Sequence, residues 1–249
     1  QEWNFVGFSN YIKLFKDRVM FTTLKNSLVF GLLTPIFVTL FAIPLAVMLN
    51  GKMKTRNFQR AVFFFPSVIS ALFIGYVWGF FLNPTADGVI NHILVGLGLD
   101  PVLWLADKKM AMISLFMVYF WSVTGWHACL YIANLQTIPP ELYEAAEIDG
   151  ANKWRKFTSI TFPMLAPSMT ISMMLLLTGG LKVFDLPFAL TSGGPGYATT
   201  MITQSIISVG INAHQIGYAS ALALFFFVII AVITITQLTL MKKREEMLQ

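Results

Sequence analysis

Five long stretches of this chain, residues 26–49, 61–86, 111–140, 157–181 and 186–241, contain no aspartate, glutamate, lysine or arginine. Each can hold the roughly 20 apolar residues that cross a bilayer as a helix. Of the 249 residues, 56% are hydrophobic and 12% charged, about half the charge of an average soluble domain. In lipid the backbone must satisfy its own polar groups, which leaves helices and closed barrels. A barrel would show short alternating strands, and these stretches are continuous. The chain is therefore expected to be all-α, a polytopic transmembrane helix bundle. Its spans are placed at about residues 26–49, 61–81, 111–135, 163–185 and 217–241.

Pro35 and Pro44 are expected to kink the first span. Gly75 and Gly79 form a GxxxG pair, read as a close helix contact. Residues 83–110 read as a loop of mixed character, with Trp104 at the interface. In residues 1–25, Phe5, Phe8, Tyr11, Ile12 and Phe15 are interspersed with Lys13, Lys16, Asp17 and Arg18. That pattern suits an amphipathic segment on the membrane surface.

Orientation follows from lysine and arginine. The loops after spans one and three and the C-terminal tail hold Lys52, Lys54, Arg56, Arg60, Lys153, Arg155, Lys156, Lys242, Lys243 and Arg244, ten of the seventeen. That side is expected to be cytoplasmic, which leaves residues 1–25 extracytoplasmic. The basic residues flank spans, so the net charge of +5 is explained by topology and not by nucleic acid.

Between spans three and four lies a short acidic segment. Pro139 and Pro140 suit a first helical turn, where a missing N–H costs nothing. Glu141, Glu144 and Glu147 suit the positive end of a helix dipole. Gly150 stands where a C-terminal cap needs positive φ. The segment reads as a helix over about 139–150, outside the lipid, with a small surface at Ala145 and Ala146 that another protein can approach.

This stretch, Glu144-Ala145-Ala146, then Gly150, then Ile160-Thr161-Phe162-Pro163, resembles the EAA loop of ABC-importer permeases. Asn4 to Tyr11 resembles the segment after the first span of sugar-type permeases. Phe184-Asp185 and Leu190-Thr191-Ser192-Gly193-Gly194-Pro195-Gly196 resemble the outer signature of the first membrane subunit in carbohydrate importers of the maltose and glycerol-phosphate kind. The resemblance implies a type I importer permease in a bacterial-type cytoplasmic (inner) membrane, with one further span upstream of Gln1. It implies a cytoplasmic ABC ATPase dimer, a second related permease subunit and an extracytoplasmic solute-binding protein as partners, and a carbohydrate as substrate. Tyr143, Glu144, Ala145, Ala146, Asp149, Gly150 and Ala151 would then meet the ATPase. For Gly150 that need is read as backbone geometry.

No catalytic chemistry, metal or cofactor is expected in the chain itself. Gly51-Lys52 lacks both the leading glycine and the following hydroxyl of a phosphate-binding loop, with Ala46 and Met53 in their places. His92, His127 and His214 show no metal-ligand spacing, and no Gly-x-Ser-x-Gly occurs. The single cysteine, Cys129, can form no internal disulfide. An ion-gradient transporter would want carboxylates or histidines in mid-span, and only His127 is there.

A solute would pass between spans near the midplane. Sugars are held by aromatic faces and hydrogen-bonding groups, which Ser67 and Ser70, Tyr119, Trp121, Thr124 and Trp126, and Thr178, Gly179 and Gly180 supply. Ordinary helix contacts account for any one of them alone. Tyr119 and Trp126, seven apart, share a face, and Gly180 would open a gap opposite. Lys182 and Asp185 read as a snorkelling interface pair or a polar gate.

Overall fold

The computed structural model describes residues 5–51, 53–85 and 88–248; Gln1, Asn4 and Lys52, used above, lie outside them. Thirteen α-helices occur among the described residues, with no strand. They are α1 (Ser9–Leu14), α2 (Arg18–Asn50), α3 (Arg56–Phe64), α4 (Ala71–Phe81), α5 (Val89–Gly96), α6 (Lys108–Leu135) and α7 (Pro140–Ile148). There follow α8 (Lys153–Lys156), α9 (Phe162–Met164), α10 (Ala166–Leu181), α11 (Asp185–Thr191), α12 (Ile202–Ile207) and α13 (Ile216–Leu248). Helices α2, α6 and α13 are each long and apolar enough to cross a bilayer; counting each broken pair as one span gives up to five. Their apolarity runs all round. On α2, Phe30, Val38 and Ala42 are buried while Leu33, Ile36 and Leu40 are exposed, as expected of helices bathed in lipid.

The broken pairs correct the expected spans. The second apolar stretch is not one helix. Pro66 removes an N–H and crowds the carbonyl four residues back, so α3 tightens into a 3₁₀ turn at Phe65–Val68 and stops at an extended Ile69 and Ser70. The fourth stretch has a π segment at Phe157–Thr161 just before Pro163, where a wider turn relieves the same crowding. It then bends by 65° between Lys153–Met164 and Ala166–Leu181.

Other boundaries also move. Helix α2 starts at Arg18 because Asp17 Oδ1 accepts the N–H groups of Val19 (2.9 Å) and Met20 (3.2 Å), an N-cap. Of the described residues within 1–25, only α1 forms a separate helix before α2 begins. Pro35 and Pro44 lie inside an unbroken α2. The mixed loop contains α5, whose buried Asn91 organises its surroundings. The Asn91 side chain donates to the carbonyls of Thr85 (3.2 Å) and Val102 (2.9 Å) and accepts from Val102 N–H and Trp104 Nε1–H, both 2.9 Å. The basic tail does not stop the last helix, which continues through residues 242–246.

The chain forms two compact units. The first comprises residues 1–32, 70–119 and 179–232. Here α11 lies on α4 so closely that a Cβ on Gly75 would sit 2.5 Å from that of Ala189. The expected glycine contact is made there, while a Cβ on Gly79 would meet its nearest neighbour at 3.8 Å. The Gly-Gly-Pro loop is pinned to α2. Asn26 Nδ2 donates to the carbonyls of Tyr197 and Thr200, and Ser27 Oγ accepts from Ile202 N–H.

The second unit comprises residues 33–69, 120–178 and 233–249. Its core is built on Val38, Ala42, Leu49, Tyr131, Leu135 and Leu165, with Tyr143, Phe157, Ile160 and Phe162 packed against it. Gly125 of α6 lies against the α3 backbone: a Cβ there would fall 1.8 Å from the carbonyl oxygen of Phe63.

Candidate functional site

The acidic helix α7 runs from Pro140 to Ile148, within the expected bounds. It ends in a Schellman motif. Ala151 N–H donates to Ala146 C=O (2.8 Å), Gly150 N–H donates to Glu147 C=O (3.0 Å), and Gly150 has φ +73°. Both bonds satisfy carbonyls that the helix end would otherwise orphan.

One side of α7 holds it to its unit. Tyr143 is half-buried against the core, and its hydroxyl shares a 3.0 Å hydrogen bond with Thr161 Oγ1. Tyr143 thus points inward and acts as the anchor. Glu147 accepts from Lys156 Nζ at 2.6 Å, the single ion pair among the described residues. That bond, with the charge behind it, holds the Glu147 carboxyl below the usual carboxylate range. A lowered folded-state value means the pair contributes at neutral pH and fades as pH falls through that value. Asn152 Oδ1 accepts Arg155 N–H and caps α8.

The other side is free of the unit. Glu144, Ala145, Asp149 and Gly150 are exposed, and Ala146 and Ala151 are half-buried. Two large apolar residues that sequence reasoning missed join them: Ile148 is 88% exposed and Trp154 72%. Together they make a small acidic platform with apolar knobs. The signal was available in principle, since residue 148 is apolar between carboxylates and off the Tyr143 face.

A Cβ on Gly150 meets nothing within 4 Å, so conformation alone selects glycine there. Gly150→Ala should therefore cost about 1–2 kcal/mol and fray the last turn of α7. Faster amide exchange at Ala151 than in the parent would register it.

The proposed path residues divide between the units. In the first, a Cβ on Gly179 would lie 3.4 Å from Tyr119 Oη, so these two are brought together. The Tyr119 ring also stands edge-on to Phe30 at 5.1 Å. Gly180 is buried; Thr178, which falls in the second unit, is half-buried with its Oγ1 bonded to its own helix. In the second unit, Ser67 Oγ donates to Phe64 C=O (2.6 Å) and Thr124 Oγ1 to Phe120 C=O (2.6 Å). Trp126 is partly exposed and meets the His127 ring edge-on at 4.8 Å. The buried His127 Nδ1 pairs with Ser172 Oγ at 2.8 Å, the arrangement of a satisfied interior histidine. Lys182 and Asp185 are both exposed and form no ion pair with each other. Among the described residues no group of three histidine, cysteine, aspartate or glutamate side chains is placed to hold a metal.

The family described as binding-protein-dependent transport system inner membrane component matches residues 19–245. A probable ABC transporter permease protein, YurN of Bacillus subtilis, is 35% identical over 98% of this chain and 85% of its own length. A probable starch degradation products transport system permease protein, AmyD of Thermoanaerobacterium thermosulfurigenes, is 32% identical over 98% and 85%. A chain in the crystal structure of a bacterial alginate ABC transporter, in complex with an alginate pentasaccharide-bound periplasmic protein, superposes with a TM-score of 0.88. It is 26% identical and covers 96% of this chain and 84% of its own.

Proposed function

The chain belongs to the family of inner membrane components of binding-protein-dependent transport systems, and from that membership we propose that it is a multi-pass permease subunit of an ATP-driven ABC importer for an oligosaccharide or related carbohydrate. The observation that carries this reading is the exposed, rigidly capped α7. Its unpaired side offers Glu144, Ala145, Ile148 and Asp149 to another protein, while Tyr143 and Glu147 tie the helix to the unit behind it. A helix so placed can be pushed as a solid body.

In this reading a solute-binding protein delivers sugar to the extracytoplasmic face. ATP binding closes a cytoplasmic ATPase dimer that grips α7, the spans rock around the solute, and hydrolysis resets them. The chain supplies half of the path, a second related permease the other half, and no bond is made or broken here. Tyr119 with Gly179 and Gly180, and Ser67 with Trp126, are the residues proposed to border the path. The carbohydrate class is supported by the relative named for starch products and by the alginate importer with its saccharide-loaded partner.

Single cysteines at Ala145 and Ile148, in a Cys129→Ser background, test the docking. Each should form a zero-length disulfide with cysteines along a surface groove of the ATPase in the assembled importer, whereas a cysteine at Thr158 should not. Equal cross-linking from all three positions, or none from any, would defeat the assignment.

A further inference from the structure

The first unit contains a chamber of about 380 Å³ bounded by the start of α2, by α11, by the Gly-Gly-Pro loop and by α12 and α13. It contains none of the path residues named above. One part of its wall is aromatic: Phe184 and Phe188 are stacked with centroids 5.4 Å apart and planes 15° apart, and Tyr197 also lines it. Another part is polar: Asp17, Gln204 and Asn212. The volume lies low in the ~300–1,000 Å³ range of small-molecule sites, whose walls pair apolar surface with a few placed polar groups.

The walls are held before any ligand arrives. Asp17 Oδ2 accepts from the Tyr218 hydroxyl at 2.8 Å, while Oδ1 caps α2. Lys13 Nζ lies 4.6 Å from the Tyr218 ring centroid, is bonded to Gln215 at 2.7 Å, and is not part of the lining. Gln204 Oε1 accepts Met201 N–H at 2.8 Å, which leaves its amide hydrogens as donors. Asn26 fixes the carbonyls of Tyr197 and Thr200. Fixed walls lower the ordering cost of binding.

Among the residues lining the chamber, Asp17 is the one charged side chain, and it is negative. Aromatic faces suit the C–H faces of a pyranose ring, and amides and a carboxylate suit its hydroxyls. A uronate would bring a second negative charge with no cation in the lining to receive it, and like charges brought together on binding cost several kcal/mol. The geometry points to a vestibule that binds an uncharged oligosaccharide and rejects acidic ones. This inference rests on the importer reading and deepens it, giving a preference for neutral sugar where the solved transporter above takes the acidic alginate.

The test uses the assembled importer in detergent and ligand-observed saturation-transfer NMR. The probes are maltotriose, cellotriose, xylotriose and triacetylchitotriose, against trigalacturonate. At least one neutral trisaccharide should bind, with trigalacturonate at least about tenfold weaker. Gln204→Glu keeps the acceptor for Met201 N–H but removes the donors and adds charge, and should weaken the bound neutral sugar about tenfold. Phe188→Ala, at an exposed position, should do the same, and Asp17→Asn should narrow the gap to trigalacturonate. No binding of any neutral probe, equal binding of trigalacturonate, or parent-like binding by both Gln204→Glu and Phe188→Ala would overturn the vestibule. The importer reading fails separately: the reconstituted complex would then show no ATP-dependent uptake of any probe, whatever the NMR gives.

Discussion

Gly125→Ala should leave little folded protein in the membrane. The added carbon would fall 1.8 Å from the Phe63 carbonyl oxygen and 2.4 Å from its carbon, so the obstacle is backbone and no rotamer change relieves it. Ordinary overpacking costs about 1–3 kcal/mol. Here α3 or α6 would have to move as a whole, and the cost should exceed that range. The damage would spread to Phe41, Phe63, Phe120 and Thr124, which line a shared apolar cavity of about 330 Å³ beside Gly125. Gly96→Ala, where a Cβ meets nothing within 4 Å, is the matched control. Thermal unfolding in detergent, followed by size-exclusion recovery, should show an early transition for Gly125→Ala and a parent-like one for Gly96→Ala. Equal recovery of both variants would mean that the α3–α6 contact is looser than described.

The second large effect concerns function and not folding. Glu144→Lys should abolish uptake while the chain still folds, because Glu144 is exposed and lies on the side of α7 away from the Tyr143 anchor. In the proposed coupling role Glu144 faces the ATPase, and reversing its charge would turn an attraction into a repulsion. Breaking a buried charge pair at an interface costs about 2–5 kcal/mol, so the ATPase should be retained at least about 30-fold less well in co-purification. Uptake and co-purification should fall together. Undiminished transport by this variant would remove α7 from the coupling role.

The apolar stretches made the all-helical class and the approximate position of the long apolar helices readable, since avoidance of charge is a property of composition. Composition does not say where an apolar helix breaks. The extended Ile69 and Ser70 lie in a run as hydrophobic as its neighbours, and only Pro66 hinted at the 3₁₀ turn. Helix starts set by one side chain were also missed, as with Asp17 capping α2 among basic residues that read as surface. In α7 the local chemistry was explicit: prolines at the start, a glycine at the αL position, carboxylates between. Its bounds were therefore legible to within a residue or two. The inward turn of Tyr143 and the exposure of Ile148 and Trp154 were not, because they depend on what α7 rests against. Gly125 carries no mark in the sequence that separates it from the other sixteen glycines.

The end of α13 touches both arms of the 65° bend. Arg244 sits 5.4 Å from the centroid of the Phe162 ring on α9. Glu245 accepts from Thr170 Oγ1 on α10 at 3.2 Å. A corner braced from one strut on both sides is triangulated: its angle cannot open or close unless the strut slides with it. A shove on α7 would then be passed to the end of α13 within the second unit, like load through a bracket, instead of being spent in flexing the corner.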